Sequence, residues 1–95
     1  MPAAYVVVEV EVTNPDQYAK YRELSTNIFR ARGIVPLVRG GATTVLEGRE
    51  PGRLVILPFD SVEAAKEWYD SPEYRKAREV RAGGAKMNMW IVEAA

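Results

Sequence analysis

An α+β fold is predicted by three features of this sequence. Ala4 to Val12 alternates in a strand-like period of two, with Ala4, Val6, Val8, Val10 and Val12 on one face and Tyr5, Val7, Glu9 and Glu11 on the other. Two proline-led helix starts, Asn14-Pro15 and Ser71-Pro72, interrupt the strand pattern. Short Val-, Leu- and Ile-rich runs bounded by glycine, proline and aspartate fill the space between and after them.

After the first strand, Asn14-Pro15-Asp16-Gln17 offers an N-cap, proline at the first helical position, an acid in the first turn and a glutamine placed for a capping box. The helix runs to about Ala31, with Tyr18, Tyr21, Leu24, Ser25 and Ile28 on one stripe, Gly33 as C-terminal cap, and Arg30 and Arg32 at its negative end. Ile34 to Val38 reads as a second strand, broken by Arg39-Gly40-Gly41 before β character resumes at Thr43 to Leu46, and Glu47 to Gly52 is a turn.

Arg53 to Phe59 is the third strand, with Pro58 near its end or on an edge because proline donates no ladder hydrogen bond. Asp60 caps the next helix with Glu63 as partner, and that helix ends at Tyr69. A new or kinked helix runs from Pro72 to Arg81, stopped by Gly83 and Gly84. Met87 to Glu93 is the last strand, with Asn88, Trp90 and Val92 on one side and Met89 and Ile91 on the other.

The order β-α-β-β-α-β is the ferredoxin-like plan, an antiparallel four-stranded sheet with helices on one face, here in one domain spanning residues 1–95. Helices cover one face only, whereas Val7, Val55, Leu57, Met89 and Ile91 suggest apolar side chains on both. A second copy of the sheet is the simplest cover, giving a two-fold homodimer whose facing sheets approach a barrel.

Composition excludes several function classes. The 95 residues are 47% hydrophobic and 27% charged, as in ordinary globular proteins, and 13 basic residues cancel 13 acidic ones, so no net positive field draws in nucleic acid. MPAAYVVVEVEV has no basic start and is interrupted by Glu9 and Glu11, so neither a signal peptide nor a membrane span is expected, and the expected location is cytoplasmic. With no cysteine and no histidine, the chain cannot build a tight zinc site, a histidine-ligated haem or a Ser-His triad, and no metal is expected.

The ligand-binding candidates are Tyr18, Tyr21, Arg39, Trp68, Tyr69, Tyr74, Arg78 and Arg81. Trp68, Tyr69 and Tyr74 suit an aromatic pocket or simply a small core. Tyr74, Arg78 and Arg81 share one helical face that can hold a carboxylate or enolate, or pair with nearby glutamates. Tyr18 and Tyr21 place phenols on the inward stripe of the first helix, and Arg39-Gly40-Gly41 is either a backbone nest or a bend. Glu9 and Glu11 share a strand face, where a cavity would raise a carboxylate pKa and water would not.

The segments AYVVVEVEVTNPDQYAKY, LVRGG, VLEG, FDS, WYDSPEYRKAREVR and IVE, in that order, resemble the domain of unknown function 1330 family within the dimeric α/β-barrel superfamily. The resemblance spans almost the whole chain. Ile34 stands where the family usually has a second glycine, and Pro58 where it often has an acid. The superfamily, which includes cofactor-independent monooxygenases, lactone isomerases, polyketide cyclases and haem enzymes, holds small organic ligands between helices and sheet. The resemblance thus implies a homodimer that binds a small aromatic or polyketide-like molecule without a cofactor, with isomerase, cyclase or monooxygenase chemistry if it is catalytic. The absent histidine argues against the haem branch. The alternative is a non-catalytic binding or assembly module whose interior is filled by Trp68, Tyr69 and Tyr74.

Overall fold

The computed structural model describes residues 3–95; Met1 and Pro2, at the start of the stretch read as carrying no leader, lie outside them. The elements are β1 (Ala4–Val12), α1 (Pro15–Arg32), β2 (Val38–Arg39), β3 (Arg53–Phe59), α2 (Val62–Asp70), α3 (Pro72–Arg81) and β4 (Ala85–Glu93). The four strands form one antiparallel sheet in the order β2-β3-β1-β4, the ferredoxin-like arrangement. No helix among the described residues is long and apolar enough to cross a membrane.

Local chemistry accounts for the helix ends. The Asn14 side chain accepts from the Gln17 N–H, and Gly33 closes α1 in the left-handed region at φ 70°, where a side chain would be strained. The Gln17 side chain does not turn back to complete a capping box. Its Nε2 donates to the carbonyls of Val80, at 2.9 Å, and Ala82, which ties α1 to the C-terminal end of α3. Ser61, rather than the expected Asp60, caps α2 by accepting from the Ala64 N–H. Ser71 both ends α2 and starts α3: its hydroxyl donates to the Trp68 carbonyl at 2.6 Å and accepts from the Tyr74 N–H at 3.3 Å.

The second strand is shorter than its sequence suggests. Ile34 to Leu37 and Thr43 to Leu46 are not strands, and β2 is confined to Val38 and Arg39, opposite Ile56 and Val55. Gly40 turns the chain away at φ 73°, and everything from Gly41 to Glu50 is exposed. The Arg53 guanidinium packs over Gly40 but can move aside, so it is the left-handed backbone of the bend that calls for glycine there. β2 pairs with β3 only at Val55 and Ile56, which leaves that side of Pro58 open, as a residue without an N–H requires. The last strand begins at Ala85, two residues before the expected start, because β4 pairs along the whole of β1 as far as Val12.

The helices cover the sheet face carrying Ala4, Val6, Val8 and Val10, which packs with Leu57, Phe59, Trp68, Tyr74 and Ala77 into the core. The register corrects the reading of the second face: Val55, Leu57, Met89 and Ile91 lie opposite Val6 and Val8 and so share the helix-covered side. The open face instead carries Tyr5, Val7, Leu54, Ile56, Trp90 and Val92, and Trp90 and Val92 remain 52% and 50% exposed. Leu24, expected on the inward stripe, is exposed, and Phe29 is buried in its place.

Because Ser71 satisfies two buried groups at the α2–α3 junction, Ser71→Ala should lower unfolding free energy by about 1–2 kcal/mol in urea titration. Ser61→Ala, at a more exposed cap, should cost about 0.5–1 kcal/mol.

Candidate functional site

The first helix places Tyr18, Tyr21, Ser25 and Phe29 over the sheet, and α3 brings Tyr74 against them. The Tyr21 and Tyr74 hydroxyls lie 2.7 Å apart, with ring centroids 6.3 Å apart, edge to face. Tyr18 stands 5.7 Å from Tyr21, and Trp68 lies against Tyr74 at 4.2 Å. Arg81 donates to the Tyr74 hydroxyl at 3.4 Å and to Met87 Sδ at 2.9 Å, with its guanidinium 5.1 Å from the Tyr21 ring centroid. Arg39 reaches inward from β2 to the Ser25 hydroxyl at 3.3 Å and the Arg22 carbonyl at 3.4 Å, lying over the Phe29 ring.

These side chains enclose a cavity of about 20 Å³, lined by Tyr18, Tyr21, Arg39, Trp68 and Tyr74 together with Ser25 and Met87. That is room for one water molecule. Tyr69, Arg78 and Arg81 do not line it. Arg78 stacks on Tyr69 at 4.0 Å, donates to the Tyr69 carbonyl and lies 5.9 Å from the Tyr74 ring centroid, so it packs on the aromatic rings without reaching the cavity. Neither Arg78 nor Arg81 is in an ion pair: among the described residues such pairs join Arg32 to Glu67 and Glu73, and Arg49 to Glu9.

Burial, with the adjoining Tyr21 phenol, pushes the Tyr74 pKa far up, against the opposing pull of Arg81. Burial likewise raises Tyr21, partly offset by the Tyr74 hydrogen bond and Arg81. Both phenols are therefore neutral donors at physiological pH, beside a cation. Burial and the charge of Arg22 lower the Arg39 pKa. The cluster is rich in donors and poor in bases, a set suited to accepting an anionic oxygen rather than removing a proton.

Glu9 does not acquire the raised pKa that a dry cavity would give it. Its carboxylate takes both guanidinium nitrogens of Arg49, at 2.9 and 3.2 Å, and that hydrogen bonding holds its pKa below the ordinary value. Ser25, Phe29 and Met87 escaped the sequence reading as site residues. A serine on an apolar stripe was the one available signal; nothing in the order of the chain brings Met87 to Arg81.

No group of three or more histidine, cysteine, aspartate or glutamate side chains among the described residues is placed to hold a metal ion.

With the geometry in place, a family model described as a domain of unknown function (DUF1330) matches residues 3–95. No curated protein matches the sequence. A protein of unknown function from Rhodopseudomonas palustris superposes with TM-score 0.72 at 21% identity, over 99% of this chain and 83% of that one. A dimeric ferredoxin-like protein of unknown function from Thermobifida fusca gives 0.66 at 14% identity, over 98% and 92%. SnoaB, a cofactor-independent oxygenase from Streptomyces nogalater, gives 0.63 at 13%, over 100% and 95%. At these identities the likeness is one of fold.

The unfolded chain releases tyrosine protons near pH 10, where folded Tyr21 and Tyr74 hold theirs, so the unfolded state binds fewer protons above that pH. The stability they contribute is fully present below about pH 10 and falls above it, for Tyr74 with a slope approaching about 1.4 kcal/mol per pH unit once the unfolded phenol has ionised, and for Tyr21 in the same direction. Denaturant titrations between about pH 10 and pH 11 should show a shallower fall for Tyr74→Phe than for the unsubstituted protein, by about 1 kcal/mol.

Proposed function

The chain belongs to the DUF1330 family, and from that premise we propose a single-domain homodimer that binds a small aromatic or polyketide-like molecule between helices and sheet, without a cofactor. The observation that carries this reading is the phenol pair, two hydroxyls 2.7 Å apart with Arg81 beside them. An enolate, phenolate or carboxylate oxygen that separates the pair meets two neutral O–H donors, one of them backed by the Arg81 guanidinium, in a water-poor site where such interactions are strong. Trp68 and Phe29 supply apolar walls for the rest of a planar ligand. The chemistry this set favours is stabilisation of developing negative charge during isomerisation, cyclisation or oxygenation of an electron-rich substrate.

Entry requires the cavity to widen, and Arg39 is the side chain that closes it toward β2. Its hydrogen bonds, 3.3 and 3.4 Å long, are weak ones. The dimer is supported by the apolar open face of the sheet and by the dimeric relative of the same fold.

A second reading, a non-catalytic assembly module with a filled interior, is favoured by the small cavity, about 20 Å³ with Trp68 against Tyr74. Thermal melts with an aromatic carboxylate and a hydroxyquinone as probes separate the two. At a hundredfold excess over Kd, a ligand specific to the folded state should raise Tm by roughly 10–20 °C. Tyr74→Phe and Arg81→Ala should each reduce that shift. A flat response from both the unsubstituted protein and the wider-mouthed Arg39→Ala variant selects the second reading, and sedimentation as a monomer at micromolar concentration removes the dimer.

A further inference from the structure

Arg22, Arg39 and Arg53 meet on the helix-covered side of the sheet, where α1 crosses β2 and β3. Arg39 of β2 stands opposite Val55, and Arg53 lies two residues before Val55 on β3, so the two side chains are diagonal neighbours on one sheet face. The Arg53 guanidinium packs over Gly40, which follows Arg39 in the chain. From α1, Arg22 offers its carbonyl to Arg39 at 3.4 Å. Burial and then the charges of Arg22 and Arg53 push the Arg39 pKa down, as like charges close together must.

The fold does not neutralise these charges. Arg53 faces Val10 across the sheet, Arg39 faces Val55, and the helical neighbours of Arg22 are Tyr18, Ala19, Ser25 and Thr26, so no carboxylate stands at any of these positions. Among the described residues none of the three arginines is in an ion pair. The Arg53 Nε–H is buried with no hydrogen-bond partner, a costly state for a donor on a cation.

We infer that the three arginines form an anion subsite at the mouth of the aromatic cavity, and that it takes a phosphate monoester. The double charge and three terminal oxygens of that group match three guanidinium forks better than a single carboxylate does. Arg39 belongs to both places, since it also lines the cavity beside Tyr18 and Tyr21. The ligand then has an aromatic end inside and a phosphorylated end outside. Its inner half rests on the reading proposed above, whereas the anion subsite needs the arginines alone.

The arrangement also supplies a way in. Arg39 is held across the mouth by bonds of 3.3 Å to the Ser25 hydroxyl and 3.4 Å to the Arg22 carbonyl. A phosphate offers it charge-assisted bonds of about 2.7–2.9 Å instead. Capture of the anionic end draws Arg39 off Ser25, and the cavity of about 20 Å³ can widen around the ring. A ligand without the anionic end finds the mouth closed.

Arginine Nε–H signals of nitrogen-15-labelled protein follow the subsite directly. Inorganic phosphate should move the Arg39 and Arg53 signals, and phenyl phosphate should bind about tenfold or more tighter than either phosphate or phenol, because both ends are engaged. Arg53→Gln and Arg22→Gln, the second at an exposed position that leaves the core intact, should each weaken phosphate and phenyl phosphate by about tenfold or more. Lys76→Gln, which removes an exposed charge on α3, should leave both affinities unchanged. Signals that stay still, or phosphate affinities that survive Arg22→Gln and Arg53→Gln, overturn the subsite; a hydroxyquinone that still raises Tm in a Tyr74-dependent way then leaves the aromatic reading standing. Phosphate binding that needs these arginines, with phenyl phosphate no tighter than phosphate, keeps the subsite and overturns its link to the aromatic cavity.

Discussion

Trp68 is where the layers of this protein meet. Its indole lies 6.3 Å from Phe29 of α1, 5.5 Å from Phe59 of β3, 6.3 Å from Tyr69 within α2 and 4.2 Å from Tyr74 of α3. Three helices and the sheet are thus registered on one side chain that is 1% exposed. In a 95-residue chain, where burial is scarce, a single large aromatic at such a junction contributes out of proportion to its number. The Ser71 turn makes this possible by ending α2 just after Trp68 and restarting the chain at Pro72, so that Tyr74 comes back onto the indole.

That same packing shapes the chemistry. Filling the interior with aromatic rings leaves the Tyr21 and Tyr74 hydroxyls with each other and Arg81 for partners, since an unpaired buried hydroxyl would be costly. Desolvation then keeps both phenols protonated. The donor cluster is therefore a consequence of core construction as much as of any ligand, which is why the capacity of the cavity to widen around a ligand separates the two functional readings.

The sheet is finished on one face and unfinished on the other. Helix packing satisfies Val6, Val8 and Val10, while Trp90 and Val92, the edge of β4 and Leu46 in the segment between β2 and β3 all stay open to solvent. An apolar face and unpaired strand edges on one small domain are features that the two-fold contact proposed above would cover.

The order of elements was legible from residue types alone. The alternation of Ala4 to Val12, the Asn14-Pro15 and Ser71-Pro72 starts and the Gly33 stop are each specified by neighbours within a few residues, and local backbone chemistry acts at that range. Family membership was legible for the same reason, as an ordered string of such signals. Tertiary structure decided what depended on distant partners. Thr43 to Leu46 has strand-like residues, but a strand forms only where a neighbouring strand supplies hydrogen bonds, and among the described residues none pairs with this segment. The faces of Val55, Leu57, Met89 and Ile91 follow from cross-strand register, which the period of two leaves ambiguous by one residue. The pairing of Tyr21 with Tyr74, 53 positions apart, required α1 and α3 to pack, because side chains on separate helices meet only when the helices do.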